Sequence, residues 1–231
     1  MICLATHLSN SSSLKAVVKP QRLAVRKLYS QIHSEKIQGT RTLSVLIEYL
    51  ESKKEELKHT CLSIVCSIRD IFLPMASTAE TRVFFNKIAG DYSRYICEIP
   101  SDETIRRNEL IDQTESFYVH AFEEAQSDLS PAHPERLSLV LNFSTFLREI
   151  KGDAERSMEL AKDAFDDAAA ELGIVAPKFD SVDSLPLSSS FDETFTIDAD
   201  VSEQTNEFEE EDSKRILDII RNTLKRLEMN L

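Results

Sequence analysis

Four charged side chains, Lys87, Asp91, Arg94 and Glu98, recur at spacings of four, three and four within the stretch RVFFNKIAGDYSRYICE over residues 82–98. Helical geometry places residues at such intervals on one face. Asp91 stands one turn before Arg94 and can fix its guanidinium, so the available chemistry is that of a rigidly held cation beside the phenol of Tyr95. A second polar series, Ser138, Asn142, Thr145 and Glu149, repeats the same spacing in SPAHPERLSLVLNFSTFLREI over residues 130–150. An amide both donates and accepts, which suits gripping the main chain of an extended peptide. Two readings fit each stripe: a line of polar groups facing a groove, or an ordinary solvated face with a surface salt bridge.

Both stripes must be carried by strongly apolar helices. Phe84, Ile88, Tyr92, Tyr95 and Ile96 flank the first, while Leu137, Leu139, Val140, Phe143, Phe146 and Ile150 surround the second. Breakers divide the rest of the chain into further helical segments. Residues 1–13, ending in Asn10 and three serines, read as a disordered N-terminal segment. Leu14 to Ile32 forms a basic candidate helix interrupted by Pro20, whose presence in a helix interior costs about 3 kcal/mol. Lys15 and Arg22 share a face only if that helix is continuous, and part company if it begins at Pro20. The spacing then predicts helices over 42–72, 78–99, a segment capped by Ser101 to Glu103 that reaches 127, 134–150 and 154–172. Short connections imply antiparallel neighbours. Gly173 to Glu211 contains Pro177, Pro186, the run Ser188 to Ser190 and an acidic crowd from Glu207 to Asp212, and reads as an unstructured excursion. A final helix covers 213–229, with Ile216, Ile219, Thr223 and Leu227 as its mostly apolar stripe. The fold class expected is all-α: one antiparallel helical domain over 14–231, with an acidic flexible insertion at 173–211.

Composition agrees. The chain holds four Gly, seven Pro and 29% charged residues, with 42% hydrophobic residues for a core of ordinary size. A net charge of −13 argues against a nucleic-acid surface. That charge is polarised, with a balance of +6 over residues 1–94 and −19 over the remainder. Cys3, Cys61, Cys66 and Cys97 make no C-x-x-C pair and do not combine with the five histidines at zinc-like spacings. Reduced thiols in the cytoplasm, with no metal and no cofactor, are therefore expected. No apolar run approaches the length that crosses a bilayer. Nor does a nucleophile elbow, P-loop or metal-ligand array point to an enzyme.

The segments FLPMASTAETRVFFNKIAGDYSRY, AFEEAQSDLSPAHPERLSLVLNFSTF and LAKDAFDDAAAEL resemble the body of the 14-3-3 family of phosphopeptide-binding proteins. The resemblance covers most of Leu14 to Leu172 and then the last helix, and the G-D-Y-x-R-Y and H-P-x-R-L-x-L-x-L-N-F-S motifs are long and specific. It implies antiparallel helices lining an amphipathic groove, and an adaptor that holds phosphoserine or phosphothreonine segments of client proteins. Carried over residue by residue, the phosphate clamp would be Lys15, Arg22, Arg94 and Tyr95. Asn142 and Glu149 would hold the peptide main chain, Lys87 would be a secondary groove cation, and Leu141, Ile216 and Ile219 would form the apolar wall.

Departures from the family pattern carry expectations of their own. The match opens in what the family would call its third helix, so the two helices that supply much of the family's dimer interface are unmatched and homo- or heterodimerisation is not expected. Thr223 stands where the family has a second peptide-gripping Asn, Leu227 where it has Trp, and Thr145 where it has an aliphatic residue. The acidic stretch replaces a short loop, and its charge and tethering would favour folding back over the basic clamp. A reading from a different class is a degenerate helical scaffold that has lost both phosphate recognition and dimerisation.

Overall fold

The computed structural model describes residues 11–38, 42–100, 104–174 and 206–228. Among them every regular element is helical: α1 (Ser11–Gln38), α2 (Leu43–Ser67), α3 (Ala79–Cys97), α4 (Thr104–Asp128), α5 (Pro134–Phe146), α6 (Ala154–Glu171) and α7 (Asn206–Glu228). Helices α2 and α5 each run on into a wider π-helical turn, Ile68–Phe72 and Leu147–Lys151, and a short turn Leu73–Met75 closes the first. The expected capping residues 101–103 lie outside the described residues, as do residues 1–10 and most of the acidic insertion (175–205).

Two compact units divide the chain, residues 1–77 with 85–117, and residues 78–84 with 118–231. In the first unit α1 packs along α2. The buried residues Val18, Val25, Leu28 and Ile32 recur at seven, three and four along α1, and Leu50, Leu57, Cys61, Ile64 and Val65 are buried on α2. This stripe explains why α1 passes through Pro20 without breaking. Pro20 itself is exposed, so its ring meets solvent while the packed face holds the helix together, offsetting the ~3 kcal/mol penalty. The start at Pro20 considered from the sequence is thereby excluded, and Lys15 and Arg22 keep a common face.

In the second unit the core is built from α5, α6 and α7. Phe165, Leu137, Ala161, Ala168, Leu217, Ile220 and Leu224 are its centre, with Met158, Leu172 and Ile219 packed against the edge. Tyr118, Phe143 and Phe146 stack beside it, with ring centroids 5.4 Å apart for Tyr118 to either phenylalanine. Helix α5 starts as its sequence foretells: His133 accepts a hydrogen bond from the Glu135 amide at 3.2 Å, and Pro134 occupies the first turn. The chain leaves its π-turn through Gly152, whose φ of 71° suits a residue without Cβ, and Asp153 caps α6 by accepting from the Arg156 amide at 3.0 Å.

Two expectations about α7 need correction. The acidic residues assigned to the loop form the first turns of the helix, which begins at Asn206. There Glu210 pairs with Lys214 at 2.6 Å and Glu211 with Arg215 at 2.8 Å, and carboxylates near a helix N-terminus are favoured by its dipole. The buried stripe is also rotated from the expected one: Ile216, Leu217, Ile220 and Leu224 are buried, whereas Ile219 and Thr223 sit half-buried at its margin. Two apolar rows are present on this helix, and the one that meets Phe165 and Leu137 is the buried one.

Candidate functional site

Helix α3 carries the first stripe into the interior. Lys87, Asp91 and Arg94 are all buried, Arg94 to 2% exposure, which removes the solvated-face reading. Buried charges are costly unless paired and hydrogen-bonded. Here the pairing centres on Glu98, one turn beyond Arg94. Arg94 Nη1 donates to Glu98 Oε1 at 2.8 Å. From α1, Arg22 Nη2 donates to Oε2 at 2.7 Å and to Oε1 at 3.0 Å, and Arg26 Nη2 reaches Oε2 at 3.4 Å. One carboxylate thus gathers three guanidinium groups. The ring of Tyr95 completes the cluster, with Arg22 stacked 3.6 Å above its centroid and Arg94 at 4.9 Å.

These contacts set the protonation states. Burial pushes the Glu98 carboxyl upward, but the charges of Arg94 and Arg22, the Arg22 hydrogen bond and the charge of Arg26 outweigh it and hold the group below its ordinary 4.5. Burial pushes the Tyr95 phenol up to about 12 against the pull of Arg94, so it stays protonated and able to donate at neutral pH. Three guanidiniums and one carboxylate leave the cluster with two net positive charges. Arg22, Arg26, Tyr95 and Glu98 also border a small cavity floored by Val25 and Leu57.

Of the four residues assigned to the clamp, the structure therefore brings Arg22, Arg94 and Tyr95 together. Lys15 is half-buried on the same continuous helix as Arg22, seven residues earlier and about 10 Å along the axis. Sequence reasoning gave no role to Arg26 and left Glu98 as one member of a stripe. Their signal was present, since Arg26 follows Arg22 and Glu98 follows Arg94 by four residues each. The pairing across 76 residues had no such signal.

The second unit places its candidates differently. On α5, Ser138 is buried and Asn142 half-buried, so this stripe too is largely enclosed. The Thr145 hydroxyl donates to the Leu141 carbonyl at 2.8 Å. Glu149 lies within the π-turn, whose wider loop carries it out of the regular spacing, and it is exposed and paired with Arg148 at 3.1 Å. Leu141 and Ile216 belong to the core, with Ile219 at its edge. Thr223 donates its hydroxyl to the Ile219 carbonyl at 2.9 Å, one turn back on its own helix.

The described residues thus form an all-helical fold that gathers three arginines on one carboxylate. The family model for the 14-3-3 protein matches residues 8–185. Among curated proteins, the chain is 38% identical over 163 residues to 14-3-3 protein 3 of Entamoeba histolytica, covering 70% of this chain and 67% of that one. It is 37% identical to 14-3-3 protein homolog 2 of Schistosoma mansoni and 36% identical to 14-3-3-like protein 2 of Caenorhabditis elegans, covering 74% and 64% of those proteins. The chain belongs to the 14-3-3 family. Membership makes it a binding protein rather than an enzyme. No helix among the described residues is long and apolar enough to cross a membrane.

Proposed function

We propose that this protein is an adaptor that captures client segments bearing a phosphoserine or phosphothreonine. The observation that carries the reading is the arginine cluster on Glu98: Arg22 and Arg94 are locked by one carboxylate beside a protonated Tyr95. A phosphate monoester carries close to two negative charges at neutral pH and three acceptor oxygens, which matches the net charge and the donors of this cluster. Each charge-assisted hydrogen bond is worth about 1.5–3 kcal/mol, so two or three of them separate a phosphorylated segment from its unmodified form. Lys15 and Lys87 add positive charge to the same unit. In the second unit Asn142 and Glu149 hold the client main chain, and Leu141, Ile216 and Ile219 with Thr223 supply the less polar wall. Among the described residues the thiols of Cys61, Cys66 and Cys97 are free, which fits a cytoplasmic setting.

The test is a titration of a labelled phosphoserine peptide beside its unphosphorylated twin. Strong discrimination that disappears in Arg94→Ala supports the adaptor reading. Equal binding of the two peptides would instead favour a helical scaffold that no longer reads phosphate.

A further inference from the structure

The arginines that face a ligand are held by a residue that would repel it. Glu98 is an anion set in the middle of a cationic cluster, and simple electrostatics makes it a liability for any phosphate approaching Arg22 and Arg94. Its geometry argues the opposite. Each carboxylate oxygen takes hydrogen bonds from two sides: Oε1 from Arg94 at 2.8 Å and Arg22 at 3.0 Å, Oε2 from Arg22 at 2.7 Å and Arg26 at 3.4 Å. Arg22 uses a single nitrogen, Nη2, for both of its bonds. Its planar fork has five N–H groups in fixed directions, so anchoring one nitrogen orients the others. Two long side chains from different helices would otherwise lose rotamer freedom only when a ligand arrived, and would repel each other until then.

We propose that Glu98 is a positioning residue for phosphate capture: it fixes the Arg22 and Arg94 guanidiniums in the orientation that a phosphate needs, and its gain in preorganisation exceeds its cost in repulsion. This rests on the phosphopeptide reading above. The side chain is suited to the task because it is half-buried at the end of α3 while Arg94 is fully buried, so the carboxylate reaches both the interior and the rim arginines. Arg26, the most exposed of the three at 39% of its side chain, contributes least to the lock.

Substitution separates orientation from charge because the two predict opposite signs. In Glu98→Gln one carboxylate oxygen becomes an NH2 group. Whichever way the amide turns, that NH2 faces a guanidinium that also donates, so at least one of Arg22 and Arg94 loses an acceptor. The variant is also more positive by one charge. If charge dominated, it would bind a phosphoserine peptide more tightly. Positioning predicts weaker binding, by about tenfold, the equivalent of one charge-assisted hydrogen bond.

The experiment titrates wild type, Glu98→Gln and Glu98→Asp with one phosphoserine peptide and its unphosphorylated twin, with a thermal melt of each variant. The expected result is a tenfold fall in the ratio of phosphorylated to unphosphorylated affinity for Glu98→Gln, and a smaller fall for Glu98→Asp, which keeps the charge but withdraws it by one methylene. A merely structural role would lower the melting temperature and leave that ratio unchanged in the folded fraction. Unchanged or tighter phosphopeptide binding by Glu98→Gln overturns the proposal. If Glu98→Gln does not fold, Glu98→Asp decides, and a wild-type ratio there overturns it equally. Failure of the wild type to discriminate the two peptides would overturn the adaptor reading instead, which keeps the two outcomes distinct.

Discussion

The arginine cluster of α1 and α3 and the polar margin of α5 and α7 treat their polar atoms in opposite ways. In the cluster, Arg22 and Arg26, more than 70 residues away in sequence, join Arg94, one turn away, in converging on Glu98. On α5, Ser144 and Thr145 both donate back to the Leu141 carbonyl, and on α7 Thr223 donates back to that of Ile219, while Ser213 of α7 reaches the Ala132 carbonyl at 2.6 Å. The first region holds its guanidiniums in fixed directions, which on the proposed function readies them for a phosphate. The second is mainly a packed wall, in which the Asn142 amide is the side chain chemically suited to grip a peptide by both donating and accepting. Affinity for phosphate should therefore respond to changes in the first region, and stability alone to most changes in the second.

The largest effect should come from Arg94→Ala. Removing a buried partner of Glu98 costs about 3–5 kcal/mol of stability in chemical denaturation, and phosphopeptide titration should show at least a ~100-fold loss of affinity. Phe165→Ala probes the opposite region. Phe165 is fully buried at the centre of the second core, and its truncation should cost about 3–5 kcal/mol in the same denaturation measurement. At a temperature where this variant is folded, its preference for phosphorylated over unphosphorylated peptide should match wild type. A loss of that preference would break the division of labour between the regions.

Alkaline pH should weaken the first unit next. Burial pushes the Cys61 thiol from 9.0 up to about 12 and the Tyr95 phenol from 10.0 up to about 12. A raised folded value for an acid gives stability that is complete below the unfolded value and is lost as pH climbs through the folded one. Thermal melts should therefore drop progressively between about pH 9 and 12, with Cys61 and Tyr95 accounting for ~3–4 kcal/mol each at most. Glu98 acts at the other end. Its folded value is lowered, so its contribution is present above pH 4.5 and disappears as acid takes the pH through that folded value. A melting profile flat on both sides would contradict the burial of these groups.

Asn142→Ala should weaken phosphopeptide binding by about tenfold, as expected for one amide that pairs with a main chain. Thr223→Val should change affinity by less than ~threefold, because the hydroxyl hydrogen is already taken by the Ile219 carbonyl. A large effect at Thr223 with a small one at Asn142 would reverse the assignment of the peptide-gripping role.

Much of the fold is legible in the amino-acid sequence. The 3.6-residue periodicity places five of the seven helices within a few residues, because apolar spacing and Pro or Gly breakers act locally, whereas α1 begins at Ser11, inside the segment read as disordered, and continues past the expected end at Ile32 to Gln38. It misplaces the start of α7, where an acidic run that looks like linker composition is also good helix N-terminal chemistry, with Lys214 and Arg215 one turn later to pair with it. It also treats Glu149 as the continuation of a regular stripe, since a π-turn leaves no mark on spacing.

What the sequence determined by itself was the all-helical class, the family and the identity of Arg22, Arg94 and Tyr95 as candidates, because motif residues and helical period are properties of neighbours along the chain. Tertiary structure alone decided that α1 runs unbroken through Pro20, that Arg94 is buried, and that Glu98 binds arginines from two helices. The reason is physical: packing against α2 outweighs a local proline penalty, and a charge leaves water only where partners from distant segments arrive to replace its solvation.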